Sequence, residues 1–423
     1  MDASVEAAVA EAHRREWAFV LAATVRVTGD IDLAEECVQE SYARALTSWP
    51  EHGIPTRPGA WLTTVARRRA IDLLRRDATH ERVLPQLVGA GTGTDPPTTW
   101  DGPGTPGALD DDRLRLIFTC CHPALAPESQ VALTLRLVCG LTTAEVARMF
   151  LVQETTMAAR ITRAKKKIAT ARIPYRVPSV DELPGRIDAV LTVVHLVFTT
   201  GHTAPVGADL VRTDLVERAL VLARMLRSLL PDEPDVAGLL ALILLTDARR
   251  PSRTSAGGTL TLLPNQDRSL WDAGEIAEGL ALVREALGRR PPGRFALMAA
   301  IAAVHAEAPA WSATDWTELV GLYELLLRIW PSPVVALNRA VAVGFAEGPG
   351  AGLAALDALE DEPQLASYGY LASARADFLR RLGRQDEAAL AYRRALALTD
   401  NAVEVEFLSS RLDEVDQRPR PAS

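Results

Sequence analysis

The residues of this chain whose types and spacing could do chemistry are two arginine-rich segments and one acidic face. The chemistry they suit is recognition of phosphate and of a protein partner, not bond-making. Between Arg67 and Arg76 five arginines stand against one acid, Asp72, and Arg68 and Arg75 are seven apart on one helical face. A guanidinium grips phosphate oxygens in a bidentate fork, so this density suits a nucleic-acid backbone. Trp61 at the start of the same helix and Trp49 just before the preceding loop offer stacking surfaces for an unpaired base, although each is more often a core residue. From Glu154 to Arg172 six basic residues face one acid. There Met157, Ile161, Ala164 and Ile168 form a core stripe, which leaves Ala159, Thr162, Arg163 and Lys166 outward. A slim polar N-terminal half followed by a basic C-terminal half fits a major groove. On Asp30–Trp49 the outward residues are Glu36, Gln39 and Glu40, an acidic, amide-bearing face that would dock a basic partner or simply meet water.

Catalytic and metal readings fare worse. Adjacent cysteines, as in Cys120-Cys121-His122, do not easily close one tetrahedral site, and no second ligand pair has suitable spacing. Cys37 and Cys139 read as small buried residues. His195 and His202 have no nucleophile that can be argued as a partner. The Gly-Thr repeats at 89–94 lack the Lys and following helix of a phosphate-cradling loop. Asn265–Asp272 (NQDRSLWD) is polar and bears a tryptophan; it reads as a helix-connecting loop before a ligand groove. The expectation is no catalysis, no metal and no cofactor.

Helices must position these residues. With 423 residues, 48% of them hydrophobic but only 5% aromatic, the chain has length for about two to four domains and a composition that favours helix over strand. Four irregularly spaced cysteines exclude a disulfide scaffold. The N-terminus carries acid where a signal peptide carries positive charge, and the most apolar run, Val236–Leu245, is too short to span a bilayer. The expectation is a cytoplasmic protein away from membranes. The net charge of −8 is uneven: residues 1–174 balance at 21 basic and 21 acidic, so all the excess acid follows. All three lysines sit at 165–167.

Gly/Pro-rich stretches at 85–108 and 173–184 divide an all-α chain into a domain at 10–84, a flexible linker at 85–108, a second domain at 109–174 and a large helical domain at 183–415. The only hint of strand is Thr259–Leu263. In the large domain, residues 374–398 fit a tetratricopeptide unit with Ala376, Leu379, Ala388, Tyr392 and Ala395 in packing positions. A weaker copy, with Ala342, Phe345 and Ala354, lies about 34 residues earlier. Such repeats build concave surfaces for partners.

The strings AEECVQESYARAL (34–46) and WLTTVARRRAIDLLRR (61–76), in this order around a loop, resemble region 2 of the extracytoplasmic-function (ECF, group 4) RNA polymerase sigma factors. The resemblance implies that Glu36, Gln39, Glu40 and Arg44 meet the β′ clamp helices of core polymerase. It implies that the loop at 50–58 forms a pocket for a flipped −10 base, with Trp49, His52, Arg57, Trp61, Arg67, Arg68 and Arg75 on the −10 strand. The family's usual Asn is Arg68 here. Residues 141–167 (LTTAEVARMFLVQETTMAARITRAKKK) are similar to region 4 of the same family, a helix-turn-helix. By that likeness Thr156, Ala158, Ala159, Arg160, Thr162, Arg163, Lys165 and Lys166 meet the −35 duplex, and the polymerase β flap is a second docking point. Two alanines offer only methyl contacts, so hydrogen-bond readout would rest on Arg163 with Thr162. Leu151 stands where the family has its turn glycine, which implies a differently shaped turn.

The order of all three parts, with the segments at Pro174–Phe198 and Pro331–Val343, resembles one sigma subgroup, the ECF42 type, which carries a long tetratricopeptide-like extension. The resemblance implies an extension needed for activity and no dedicated membrane anti-sigma partner. The expected function is promoter recognition with core polymerase, modulated by the extension through contact with the sigma domains or through an unidentified signal or protein partner. Two competing readings are a free-standing helix-turn-helix regulator and a scaffold without DNA function, the latter kept open by Ala158 and Ala159.

Overall fold

The computed structural model of the chain describes residues 3–87, 112–150, 152–179, 181–255, 257–288 and 291–417. The expected linker is therefore only partly visible: helix continues to Leu87, and 88–111 lies outside the described residues. Eighteen α-helices account for nearly all the regular structure described, so the chain is all-α as its composition predicts. Besides short 3-10 and π turns, the exceptions among the described residues are a two-residue parallel pairing of Val206–Gly207 with Asp400–Asn401 and an isolated antiparallel bridge between Thr254 and Leu260. Contacts divide the chain into two compact units, residues 1–194 and 195–423.

The first unit is built on α1 (Ala3–Thr28), α2 (Ile31–His52) and α3 (Pro58–Leu87). Asp30 caps α2 by accepting the Leu33 N–H at 2.9 Å. Pro50 sits inside the last turn of α2, and Gly53 ends the helix at φ +82° while donating to the Trp49 carbonyl at 2.9 Å. The connecting loop is thus only 53–57, shorter than the 50–58 expected, because proline tolerates that last turn. On α1 lies α4 (Asp112–Cys120), followed by α5 (Pro127–Leu133), a π-helical turn at Thr134–Val138, α6 (Thr143–Met149) and α7 (Glu154–Thr170). Thr142 and Glu145 form a reciprocal capping box at the start of α6.

Residues 10–84 and the described part of 109–174 lie together in this unit. The Trp17 indole donates to the Leu137 carbonyl at 3.0 Å, and the Tyr175 hydroxyl donates to the Ala22 carbonyl at 2.9 Å. Arg186 of α8 (Leu183–His202) donates to the Phe118 carbonyl, so the second segment's packing extends past residue 174. Helix α8 spans the division between units. It has the length and apolarity of a membrane span, a test that core helices of soluble proteins also pass, whereas the expected most apolar run forms the shorter, buried α10 (Pro234–Asp247).

The second unit continues with α9 (Thr213–Leu229), α10, α11 (Ala273–Leu287), α12 (Arg294–Glu307), α13 (Trp316–Ile329), α14 (Pro333–Ala346), α15 (Pro349–Asp357), α16 (Gly369–Arg381), α17 (Gln385–Leu396) and α18 (Ala402–Asp416). Successive helices from α13 to α18 pack on their chain neighbours. Ala376, Leu379, Ala388, Tyr392 and Ala395 are all buried between α16 and α17. In the weaker copy Ala342 is buried but Ala354 is exposed. The close approach there is made by glycines: a Cβ on Gly344 would fall 2.1 Å from the Phe378 ring.

Asn401, fully buried, ties the end of the chain to this unit. Its amide donates to the carbonyls of Ala204 (3.0 Å) and Asp209 (2.9 Å), while its oxygen accepts the Val403 and Glu404 N–H groups to cap α18. Asn401→Ala removes a cap and leaves two carbonyls unpaired, so it should cost about 2–4 kcal/mol by chemical denaturation. A loss under 1 kcal/mol would mean that the clasp is dispensable.

Acid should loosen the same unit. Burial, reinforced by Arg294, holds His195 down to about 4; burial, with Arg249 and Arg268, does the same to His305. A base whose folded pKa is depressed contributes stability above its unfolded value near 6.5 and loses it as pH falls from there towards 4. The loss should be on the order of 2–3 kcal/mol per histidine across that window. Urea unfolding at pH 7 and pH 4.5 would measure it. A His195→Phe, His305→Phe chain should show a flatter dependence than the wild type, and identical slopes would contradict the assignment.

Candidate polymerase and promoter interface

On α2 the residues facing inward are Ala34, Glu35, Cys37, Val38, Ser41, Tyr42, Ala45 and Trp49, so Glu36, Gln39, Glu40 and Arg44 are all exposed on the opposite side. The helical period places them there. Glu40 forms an ion pair with Arg69 of α3 at 2.7 Å, which fixes one edge of this face. The face is acidic at Glu36 and Glu40 and basic at Arg44.

On α3, Leu62, Ala66 and Ala70 are buried, which leaves Arg68, Arg75 and Arg76 exposed and Arg67 half-buried. Arg57 and His52 are exposed beside the short loop, with His52 Nδ1 3.1 Å from the Ser48 carbonyl oxygen. One expected stacking platform is not on this surface. Trp49 is only 2% exposed, part of the core beneath the loop, so a base cannot reach its face here. Trp61 is half-buried and meets Trp49 edge-on at 5.7 Å between ring centres, so it alone of the pair borders solvent.

On α7 the stripe read from spacing is the buried one: Met157, Ile161, Ala164 and Ile168. Thr156, Ala158, Ala159, Thr162, Arg163 and Lys166 are exposed, and Arg160 is half-buried. Residues 152 and 153 complete the connection from α6, while Leu151 lies outside the described residues.

Lys165 departs from the expectation of a DNA-facing side chain. It follows Ala164 at the edge of the buried stripe, and its ammonium turns to α2. There it contacts Glu35 Oε2 and lies 2.7 Å from Asp32 Oδ1. Arg136 Nη2 approaches the other oxygen of Glu35 at 2.8 Å, an ion-pair contact whose angle is not that of a hydrogen bond. Burial opposes the charge on Lys165, but the Glu35 carboxylate and the hydrogen bonds to Asp32 and Glu35 outweigh it and hold its pKa above the ordinary lysine value. Sequence reading missed Glu35 because an acid on an amphipathic helix reads as solvated. The signal was present in its position, since Glu35 falls between the apolar Ala34 and Val38 on the inner side.

Cys120 and Cys121 are fully enclosed. Burial pushes the Cys121 thiol up to about 12 and raises Cys120 as well, so both are protonated at neutral pH. His122 Nδ1 accepts the Ala124 N–H at 3.1 Å, which makes it a turn residue. Among the described residues no group of three or more metal-ligating side chains converges.

Three family models match parts of the chain. Residues 13–79 match the family model of Sigma-70 region 2, residues 115–168 match Sigma-70 region 4, and residues 186–287 match a family of unknown function, DUF6596. The "ECF RNA polymerase sigma factor SigL" of Mycobacterium tuberculosis is 32% identical over 161 residues, 38% of this chain and 86% of that protein. This chain belongs to the ECF RNA polymerase sigma factors. The sigma factor is also 30% identical over 165 residues to the "Probable ECF RNA polymerase sigma factor SigI" of the same species, of which it spans 56%. Beyond the sigma regions, it is 42% identical over 400 residues, 94% of both chains, to "Uncharacterized protein R00370" of Rhizobium meliloti. The long C-terminal unit is therefore shared with that relative.

Proposed function

We propose that this chain is a promoter-specificity subunit of the ECF42 type, acting in the cytoplasm, whose C-terminal unit modulates the two sigma regions. The observation that carries the reading is the opposed geometry of α2 and α7. Each keeps its apolar stripe inward and presents outward the residues that the resemblance assigns to polymerase and to the −35 duplex. In this account Glu36, Gln39, Glu40 and Arg44 dock on the β′ clamp helices. His52, Arg57, Trp61, Arg67, Arg68 and Arg75 follow the −10 strand. Thr156, Ala158, Ala159, Arg160, Thr162, Arg163 and Lys166 lie on −35 DNA, with the β flap supporting region 4. Trp49 supports the pocket from beneath.

The contact of Lys165 and Arg136 with Glu35 gives the account a closed state, because it ties the candidate −35 helix to the candidate polymerase helix. Reading two separated promoter elements at once requires that contact to open. The energy for opening would come from polymerase taking hold of both regions. A groove of about 920 Å³ within the C-terminal unit, bordered by Tyr368, Tyr370, Arg380 and Arg411, supports a receiving role for the extension.

Charge reversal tests the docking face. Glu36→Lys with Glu40→Lys should weaken capture of purified core polymerase at least tenfold while the chain remains folded, since both side chains are exposed. Undiminished capture would remove α2 from the interface. The free-standing regulator predicts instead specific duplex binding without polymerase.

A further inference from the structure

The C-terminal unit has another cavity, on the far side of α16 from the groove bordered by Tyr370 and Arg411. The helical period of α16 points Tyr370, Ala374 and Asp377 at that groove, and Leu371, Arg375 and Leu379 at the opposite face. On this opposite face α15 and α17 both pack on α16 but not closely on each other, which leaves a cleft of about 580 Å³. Leu356, Leu371 and Leu379, all buried, form its floor, and the small side chains of Ala372 and Ala391 keep it deep. Its uncharged lining is leucine and alanine with one tyrosine, Tyr368.

The lip of the cleft alternates apolar and charged groups. Leu390 and Arg394 stand one turn apart on α17, and Leu398 follows just beyond the end of the helix. Leu390 is 68% exposed, more than any other large apolar side chain among the described residues, and Leu398 is 36% exposed. Apolar side chains left in water at the edge of an apolar cavity are the surface that a ligand would cover. Most charges at this mouth are engaged. Arg375 pairs with Asp357, Arg384 donates to Glu387 at 2.7 Å, and Arg393 donates to Asp416 at 3.1 Å. Arg394, by contrast, makes no hydrogen bond among the described residues, and its ion pair with Glu360 is stretched to 3.9 Å. Both of those side chains are more than half exposed, so the pair holds Arg394 weakly and leaves its donors open to another carboxylate.

We propose that this cleft binds an apolar monoanion, an alkyl carboxylate whose chain lies over α16 between α15 and α17 and whose head meets Arg394. The leucine and alanine lining calls for the chain, and the cleft falls within the size range of small-ligand sites. One loosely held guanidinium matches one carboxylate, which it can grip with two parallel bonds. Leu390 and Leu398 stand either side of Arg394 in sequence on the same lip, so the carbons next to the head are covered as well. The site stands independently of the sigma assignment and of any role for the groove on the other side of α16, because binding is read on the chain alone.

The test is isothermal titration calorimetry of the full chain with octanoate, decanoate, dodecanoate and tetradecanoate, each below its micelle concentration, beside octanol as the uncharged counterpart. The expected result is saturable binding at about one site per chain. Affinity should rise about fourfold for each methylene buried and level off once the chain outgrows the cleft. Arg394→Gln should weaken decanoate about tenfold and leave octanol unchanged. Leu390→Glu sets an acid on the lip and should weaken decanoate about tenfold as well. Leu325→Glu alters an exposed apolar residue of α13 outside the cleft and should change nothing. All three substituted side chains are exposed, so the variants should fold, and their unfolding midpoints check it. The absence of saturable binding to the wild type would overturn the proposal. So would an affinity that keeps rising through tetradecanoate, or equal losses in Leu390→Glu and Leu325→Glu, since both mark partition onto open apolar surface. Undiminished decanoate binding by Arg394→Gln would overturn it too, because the head group would then lie elsewhere.

Discussion

Glu35→Ala should destabilise the N-terminal unit by about 3–5 kcal/mol, a far larger loss than an acid on a helix surface ordinarily causes. The reason is the company Glu35 keeps. It is 5% exposed and faces both Lys165 and Arg136, which are themselves largely enclosed, so its removal leaves Lys165 with only the exposed Asp32 and Arg136 with no carboxylate among its described contacts. Breaking such a cluster from one side is expensive, whereas replacing all of it with apolar groups of similar size is often close to neutral. A triple variant, Glu35→Leu with Arg136→Met and Lys165→Met, should therefore recover most of the loss. If the triple were as unstable as Glu35→Ala, the cost would come from packing and not from unanswered charge. Urea unfolding of the full chain, followed through the Trp17 environment, reads both.

The second large effect is expected at Arg163. Its side chain is exposed on α7, and its neighbours Ala158 and Ala159 bring no hydrogen-bonding groups. Most of the base readout in this account falls on it, and one bidentate contact is worth about 1–3 kcal/mol. Arg163→Ala should lower transcription from a −35-dependent promoter about 10- to 100-fold, while core-polymerase binding and the unfolding midpoint stay unchanged. Unchanged transcription would favour the scaffold reading, in which the helix-turn-helix no longer meets DNA.

Much of this arrangement was legible in the residues because the helical period is a strong signal. Met157, Ile161, Ala164 and Ile168 are buried as their spacing predicts, and the candidate docking face of α2 points outward for the same reason. Most helices of the C-terminal unit were readable from apolar periodicity, down to the buried Ala376, Leu379, Ala388, Tyr392 and Ala395. What the sequence hid were properties of pairs distant in the chain. Lys165 belongs to a basic run, and nothing local says that it turns towards an acid 130 residues earlier. Trp49 was ambiguous between platform and core until the helix that carries it was placed. Local sequence ends α2 at Pro50 because proline usually breaks helices, while Gly53 is the residue that stops this one. Ala354 was assigned a packing position that repeat spacing allows, but Gly344 and Gly352 set the close approach to Phe378 instead.

The most direct test of the account is transcription of fragmented genomic DNA from the source bacterium by purified core polymerase, with and without the full-length chain, read by mapping the 5′ ends of the transcripts. The account predicts new start sites that appear only when both proteins are present, that share paired −35 and −10 motifs, and that weaken with Arg163→Ala and with the Glu36→Lys, Glu40→Lys chain. Specific duplex binding by the chain without core, together with no new start sites in its presence, would contradict it.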